Sequence, residues 1–228
     1  MYPLGSVIGM SSEADTPQLP GGESLHSRDD ARLRVISAAY SSRAEEYAEL
    51  LGSMDAVADA DRRLVEVWAQ STEGPLADVG CGPAHWTAHL ADRGHDILGI
   101  EPVPEFVAYA HRTSSHIRVE QGSFATLPTA AFEGILSWYS LIHTPPEDMH
   151  ALLSNAHRAL RPDGSLLLGF FAGERVEPFA HDVAPAWYWP VSELELLLTT
   201  AGFTVINRGT RQDPGVRRHG WIEALRTH

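Results

Sequence analysis

From residue 75 onward the chain alternates short apolar runs with longer segments whose apolar positions return every three or four residues. The runs fall near 75–79, 96–101, 117–121, 132–138 and 165–171, and the helical segments near 85–92, 104–112 and 146–160. Strands that are apolar along their whole length are buried on both faces, and strands alternating with helices imply crossover connections. The predicted fold class is therefore α/β: a doubly wound, mainly parallel sheet with helices on both faces.

The flanks depart from this rhythm. Residues 1–30 hold four glycines, three prolines and five serines without apolar periodicity, which predicts a disordered tail ahead of a domain spanning 31–228. From about 33 to 70, apolar residues recur at helical spacing and break near Gly52-Ser53, predicting two cap helices over the ligand edge of the sheet. Residues 172–190 carry three prolines and Trp187-Tyr188-Trp189 and are read as a substrate-side lid. A helix at 191–201 follows, ended by Gly202, and then strands at Phe203–Ile206 and Trp221–Leu225.

Chemistry concentrates where the first strand ends. Leu76-Ala77-Asp78-Val79 runs into Gly80-Cys81-Gly82, and the next helix begins just beyond. Glycines in such a turn reach backbone angles closed to other residues and let a nucleotide lie against bare main chain. Glu101 ends the second strand, 19 residues after Gly82 and just before Pro102. An acid there can accept both hydroxyls of a ribose.

On these residues the chain resembles the class I S-adenosylmethionine-dependent methyltransferases, whose first motif is an acid, two residues and a Gly-x-Gly-x-Gly turn; Ala84 stands at the third glycine. Gln121 to Pro128 resembles the third motif, Phe132 to His143 the fourth, and Leu160 to Ser165 the turn before strand five. The likeness spans about 36–226. It implies a Rossmann-like seven-stranded sheet of order 3-2-1-4-5-7-6 with strand seven antiparallel, and S-adenosyl-L-methionine as cofactor.

The resemblance also assigns candidate roles. Asp78 orients the glycine loop or receives the cofactor's amino group; its plainer alternative is to cap the following turn. Gly80, Cys81, Gly82, Glu101 and Pro102 complete the cradle. Ser123 stands where the family carries an acid facing the adenine amino group, and Phe124 beside it packs on the adenine. Ser137 and Trp138 line the methionine end. Tyr40, seven residues before Tyr47 on a helix face, closes over the cofactor. His143 is the candidate catalytic residue: its imidazole can take a proton from the acceptor, or it simply orders its loop. His181 in the lid is a further candidate to touch substrate.

Composition narrows the partners. A formal charge of −13 and the lack of any Arg-rich stretch interleaved with aromatics argue against nucleic acid. A single cysteine leaves no disulfide framework, and no apolar run reaches membrane-spanning length, so a soluble cytoplasmic protein, monomer or homodimer, is expected. His85 and His89 have the spacing of a zinc-binding helix, but neither a Glu at 86 nor further ligands accompany them, and no metal is expected. Two rivals to transfer of a methyl group to a small molecule remain. One is a nicotinamide-dependent reductase, although its fingerprint needs glycine at position 85, which is His85. The other is a protein that binds S-adenosylmethionine without catalysis.

Overall fold

The computed structural model describes Ala38, Tyr40, residues 52–181 and residues 184–227. The predicted tail, most of the first cap helix and Tyr47 lie outside the described residues. The second predicted helix is α1, Asp59–Gln70, and it packs on a face of the sheet rather than over its ligand edge, because its apolar stripe meets Leu76, Leu136 and Leu167. Its buried positions Asp61, Val65, Trp68 and Ala69 fall on one face, and Asp59 and Asp61 sit in the first turn, where the helix dipole favours negative charge.

The sheet elements follow in order: β1 Leu76–Val79, α2 His85–Ala91, β2 Ile97–Glu101, α3 Pro104–Thr113, β3 Arg118–Gln121, β4 Phe132–Trp138, α4 Pro146–Ala159 and β5 Leu160–Phe171. After β5 come β6 Glu177–Phe179, β7 Ala186–Tyr188, α5 Val191–Thr200, β8 Phe203–Arg211 and β9 His219–Arg226. Seven strands form one sheet in the order β3-β2-β1-β4-β5-β9-β8. Pairing is parallel except that β9 runs antiparallel to both β5 and β8. With β8 and β9 in the places of strands six and seven, this is the expected order.

Side-chain alternation along the central strands splits the core in two. Leu76, Leu136 and Leu167 face α1 and α2, packing with Val65, Trp68, Trp86 and Leu90. Ala77, Ile135, Leu166 and Leu168 face the other way, onto Met149, Leu153 and Ala156 of α4 and Leu194 and Leu198 of α5. The Trp68 indole N–H, buried in the first layer, donates to Ser165 Oγ at 2.9 Å, so α1 is tied to β5 by a satisfied polar contact as well as by packing.

Strand boundaries differ from the sequence reading: β5 starts at Leu160, inside the segment read as the turn before it, and β9 runs from His219 to Arg226. β8 runs to Arg211 rather than Ile206, because its last residues, Asn-Arg-Gly-Thr-Arg, pair through the backbone with β9 while their side chains stay largely exposed. An edge strand of this kind needs no apolar signature, and its charges discourage pairing with another chain. Residues 172–190 contain the antiparallel hairpin β6–β7, with Trp189 buried behind it.

Candidate functional site

A cleft of about 230 Å³ opens along the C-terminal edge of the parallel strands. Every candidate residue except Ser137 borders it: Tyr40, Asp78, Gly80, Cys81, Gly82, Glu101, Pro102, Ser123, Phe124, Trp138 and His143, together with His181. Ser137 is fully buried and bonds to Ser140 Oγ. The cause is the strand pleat: Ser137 shares the face of Ile135, while Trp138 turns to the opposite face and meets Trp86, ring centroids 6.3 Å apart. Ser137 therefore supports the strand-end loop rather than lining the cleft.

The glycine loop has left-handed backbone at alternate positions: Gly80 (φ 75°), Gly82 (φ 55°) and Ala84 (φ 67°). At Gly80 a Cβ would lie 2.2 Å from Ser140 Cβ, so glycine is needed for the close approach of the β4 loop. At Gly82 a Cβ would meet nothing within 4 Å, which marks open space beside bare backbone. Ala84 holds the same hand with a methyl group, a conformation that costs about 1–2 kcal/mol. It is the N-cap of α2 and has no side chain to cap with. Asp78 supplies the cap from across the loop: its Oδ2 accepts from Thr87 Oγ1 at 2.7 Å, and it also accepts from the Thr87 backbone.

Glu101 is the second acid of the edge. Its Oε2 accepts from Gly82 N–H at 2.7 Å and its Oε1 from Val103 N–H at 2.9 Å, so one carboxylate clamps the glycine loop to the start of α3. Burial raises both acids to about 7, and their hydrogen bonds recover part of that shift. Burial likewise pushes the Cys81 thiol up, with the Asp78 and Glu101 charges adding to the effect, so Cys81 stays a neutral packing residue.

The remaining candidates have local partners. Ser123 Oγ accepts from Ala125 N–H at 3.3 Å while Thr126 Oγ1 accepts from Ser123 N–H at 3.0 Å, a reciprocal cap that leaves part of the hydroxyl's capacity for a ligand. Phe124 is nearly buried beside it. His143 Nδ1 lies 2.9 Å from the Pro185 carbonyl, which can only accept, so Nδ1 carries the proton. Nε2 then accepts from the Tyr40 hydroxyl at 3.0 Å. His89 bonds to Glu66 at 2.7 Å, whereas His85 borders the cleft with its pKa lowered to about 4 by burial. No group of three or more metal-ligating side chains occurs among the described residues.

Cleft residues that the sequence reading did not single out include Tyr139, Phe171, Arg217 and His219. Tyr139 has φ 59° and its hydroxyl bonds to His219 Nδ1. The antiparallel sense of strand seven was the available signal, because it returns the start of that strand to the ligand edge.

A substitution at Gly82 separates stability from binding at this loop. Gly82→Ala is expected to cost about 1–2 kcal/mol of stability for the left-handed methyl. Its methyl also projects into the open space beside the loop, so thermal denaturation should show a modest loss while affinity for an adenosyl ligand falls by about tenfold. Unchanged affinity would place the ligand elsewhere.

Comparison with known proteins matches this geometry. Residues 76–164 match the methyltransferase domain family. An uncharacterized methyltransferase of Alkaliphilus oremlandii is 28% identical over 97 residues, covering 42% of this chain and 45% of that protein, so the chain spans about half the length of the first curated relatives it matches. An uncharacterized methyltransferase of Anoxybacillus flavithermus is 24% identical over 166 residues, 65% of this chain and 78% of its own length. Among solved structures, a Burkholderia thailandensis 1,6-didemethyltoxoflavin-N1-methyltransferase, holding 1,6-didemethyltoxoflavin and S-adenosylhomocysteine, superposes with a TM-score of 0.73 at 21% identity, covering 94% of each chain. Sheet order, glycine loop, strand-end acid and family match converge: residues 76–164 match a methyltransferase domain, on a sheet with the fold of solved S-adenosylmethionine-dependent methyltransferases.

Proposed function

We propose that this protein transfers a methyl group from S-adenosylmethionine to an oxygen, nitrogen or carbon of a small molecule. The observation that carries the reading is the pairing of Glu101 with Gly82. A carboxylate has about four acceptor positions and Glu101 uses two on backbone N–H groups, leaving capacity for two ribose hydroxyls beside the open space at Gly82. Asp78, Gly80 and Cys81 would hold the loop under the methionine portion, and Pro102, Ser123 and Phe124 would border the adenine. Trp138 and Tyr40 would close the other side.

The bound cofactor supplies a methyl group already activated on a sulfonium. What the chain must add is alignment of the acceptor, and fixing two reactants in line is worth roughly 7–11 kcal/mol of barrier. The β6–β7 hairpin, as a lid, would exclude water from the acceptor side. A small molecule suits a cleft of this size and the −13 charge better than nucleic acid does. The structural neighbour that acts on 1,6-didemethyltoxoflavin supports the same substrate scale.

His143 serves this reading as a latch. Its imidazole joins the Tyr40 segment to the loop at Pro185, and both ring nitrogens are engaged. A general base needs its Nε2 lone pair free, so His143→Ala should lower turnover and cofactor affinity modestly and together, as Tyr40→Phe should. A turnover loss of ~10²-fold with unchanged affinity, and an acid-side limb of the pH profile missing from the variant, would assign base catalysis instead.

The activity itself is tested by incubating purified protein with methyl-labelled S-adenosylmethionine and fractionated cell extract. Labelled small-molecule product, formed together with S-adenosylhomocysteine, is expected. Tight cofactor binding without any transfer across the fractions would favour the non-catalytic reading.

A further inference from the structure

The cleft has a second half, across the strand edge from the glycine loop. Sheet order places the end of β2 four strand spacings from the start of β9, about 19 Å at the usual spacing. Glu101 and Gly82 therefore occupy one end, and Tyr139, Phe171, Arg217 and His219 the other.

Arg217 is the one Arg among the described residues bordering the cleft. Its guanidinium lies 4.7 Å from the Phe179 ring centroid and 5.9 Å from that of Phe171, and it donates to the Ala180 carbonyl at 3.3 Å. No carboxylate among the described residues pairs with it, although the chain carries 30 Asp and Glu. Other arginines near acids are paired: Arg211 with Asp61 and Asp213, Arg175 with Glu177, Arg161 with Glu133. Aromatic faces orient a guanidinium without neutralising it, so its planar fork stays available to an anion.

Beside Arg217 lies an aromatic wall, in which the Tyr139 and Phe171 rings are tilted 43° to each other. Tyr139 and Phe171 have ring centroids 5.0 Å apart, and Phe179 stacks on Tyr188 at 4.2 Å just behind. Tyr139 keeps its left-handed backbone, a cost of about 1–2 kcal/mol that is tolerated mostly at working sites. Its bond to His219 fixes the ring in that pose.

We propose that the methyl acceptor is a flat aromatic acid, whose ring lies against Tyr139 and Phe171 and whose anionic group pairs with the Arg217 guanidinium. The proposal rests on the methyltransferase reading of the same cleft. It also assigns the acceptor's charge to the β9 side, away from the ribose-facing acid.

The test uses full-length protein saturated with S-adenosylhomocysteine, whose own binding is first confirmed by calorimetry. Ligand-observed NMR then compares flat aromatic carboxylates (naphthoates, quinoline carboxylates and hydroxybenzoates) with their primary amides. Acids should bind about tenfold or more tightly than matched amides, the gain expected of a bidentate charged pair. In Arg217→Gln that preference should collapse with S-adenosylhomocysteine affinity unchanged, and Arg217→Lys should keep part of it. Amides binding as well as acids, no acid binding at about 1 mM, or a preference surviving in Arg217→Gln would each overturn the proposal. Loss of S-adenosylhomocysteine affinity in a folded Arg217→Gln would assign the guanidinium to the cofactor and overturn it as well. Failure of the native protein to bind S-adenosylhomocysteine would instead remove the reading beneath it.

Discussion

Replacing Glu101 by alanine is expected to weaken S-adenosylhomocysteine binding by about ten- to hundredfold, the loss of roughly 1.5–3 kcal/mol in hydrogen bonds to a charged partner. The structure adds a second consequence. Glu101 is 4% exposed and holds two backbone N–H groups, so its removal leaves both donors short of an acceptor and lowers stability as well. Calorimetry on the folded fraction separates the two effects. The carboxylate also predicts a pH dependence. With burial raising its pKa to about 7, Glu101 is ionised above pH 7 and becomes protonated as pH falls through that value. A protonated acid accepts more weakly from ribose hydroxyls and from Gly82 N–H, so affinity should be level above about pH 8 and decline below 7, by up to about tenfold per unit. Glu101→Gln, which does not titrate, should bind weakly at every pH without that decline. An affinity that rises as pH falls would contradict the assignment.

The second large effect concerns the frame. Asp61 on α1, with its side chain 4% exposed, takes both Nη atoms of Arg211 at the end of β8, and Arg211 Nε pairs with Asp213 at 2.7 Å. Arg211→Met leaves the Asp61 carboxylate buried without its counter-charge, and breaking such a pair on one side costs about 3–5 kcal/mol. The double change Asp61→Leu with Arg211→Met should recover most of that loss, since it removes both charges rather than stranding one. Chemical denaturation checks both variants. A loss of about 1 kcal/mol or less in Arg211→Met would mean the pair behaves as a solvated surface bridge.

Much of the cofactor end was legible in the sequence because its chemistry is local. The loop from Asp78 to Gly82 and the acid at Glu101 follow apolar strands directly, so spacing along the chain fixes their place at the sheet edge. Four features were not legible. Ser137 and Trp138 are neighbours in sequence, but the strand pleat sends them to opposite faces, and only Trp138 reaches the cleft. The polar end of β8 carries no apolar pattern because an edge ladder is held by backbone bonds. The half of the cleft away from Glu101 is assembled around the ends of β4 and β5 and the start of β9, so Tyr139, Phe171, Arg217 and His219 meet only through topology. The left-handed backbone at Tyr139 and Ala84 likewise has no signal in residue type, since neither residue favours it.

The most direct measurement of the central claim is isothermal titration of the purified protein with S-adenosylmethionine, S-adenosylhomocysteine and NADH under identical conditions. The account predicts saturable micromolar binding of both adenosyl compounds at one site per chain and no heat from the dinucleotide. Micromolar binding of NADH with no heat from either adenosyl compound would contradict it.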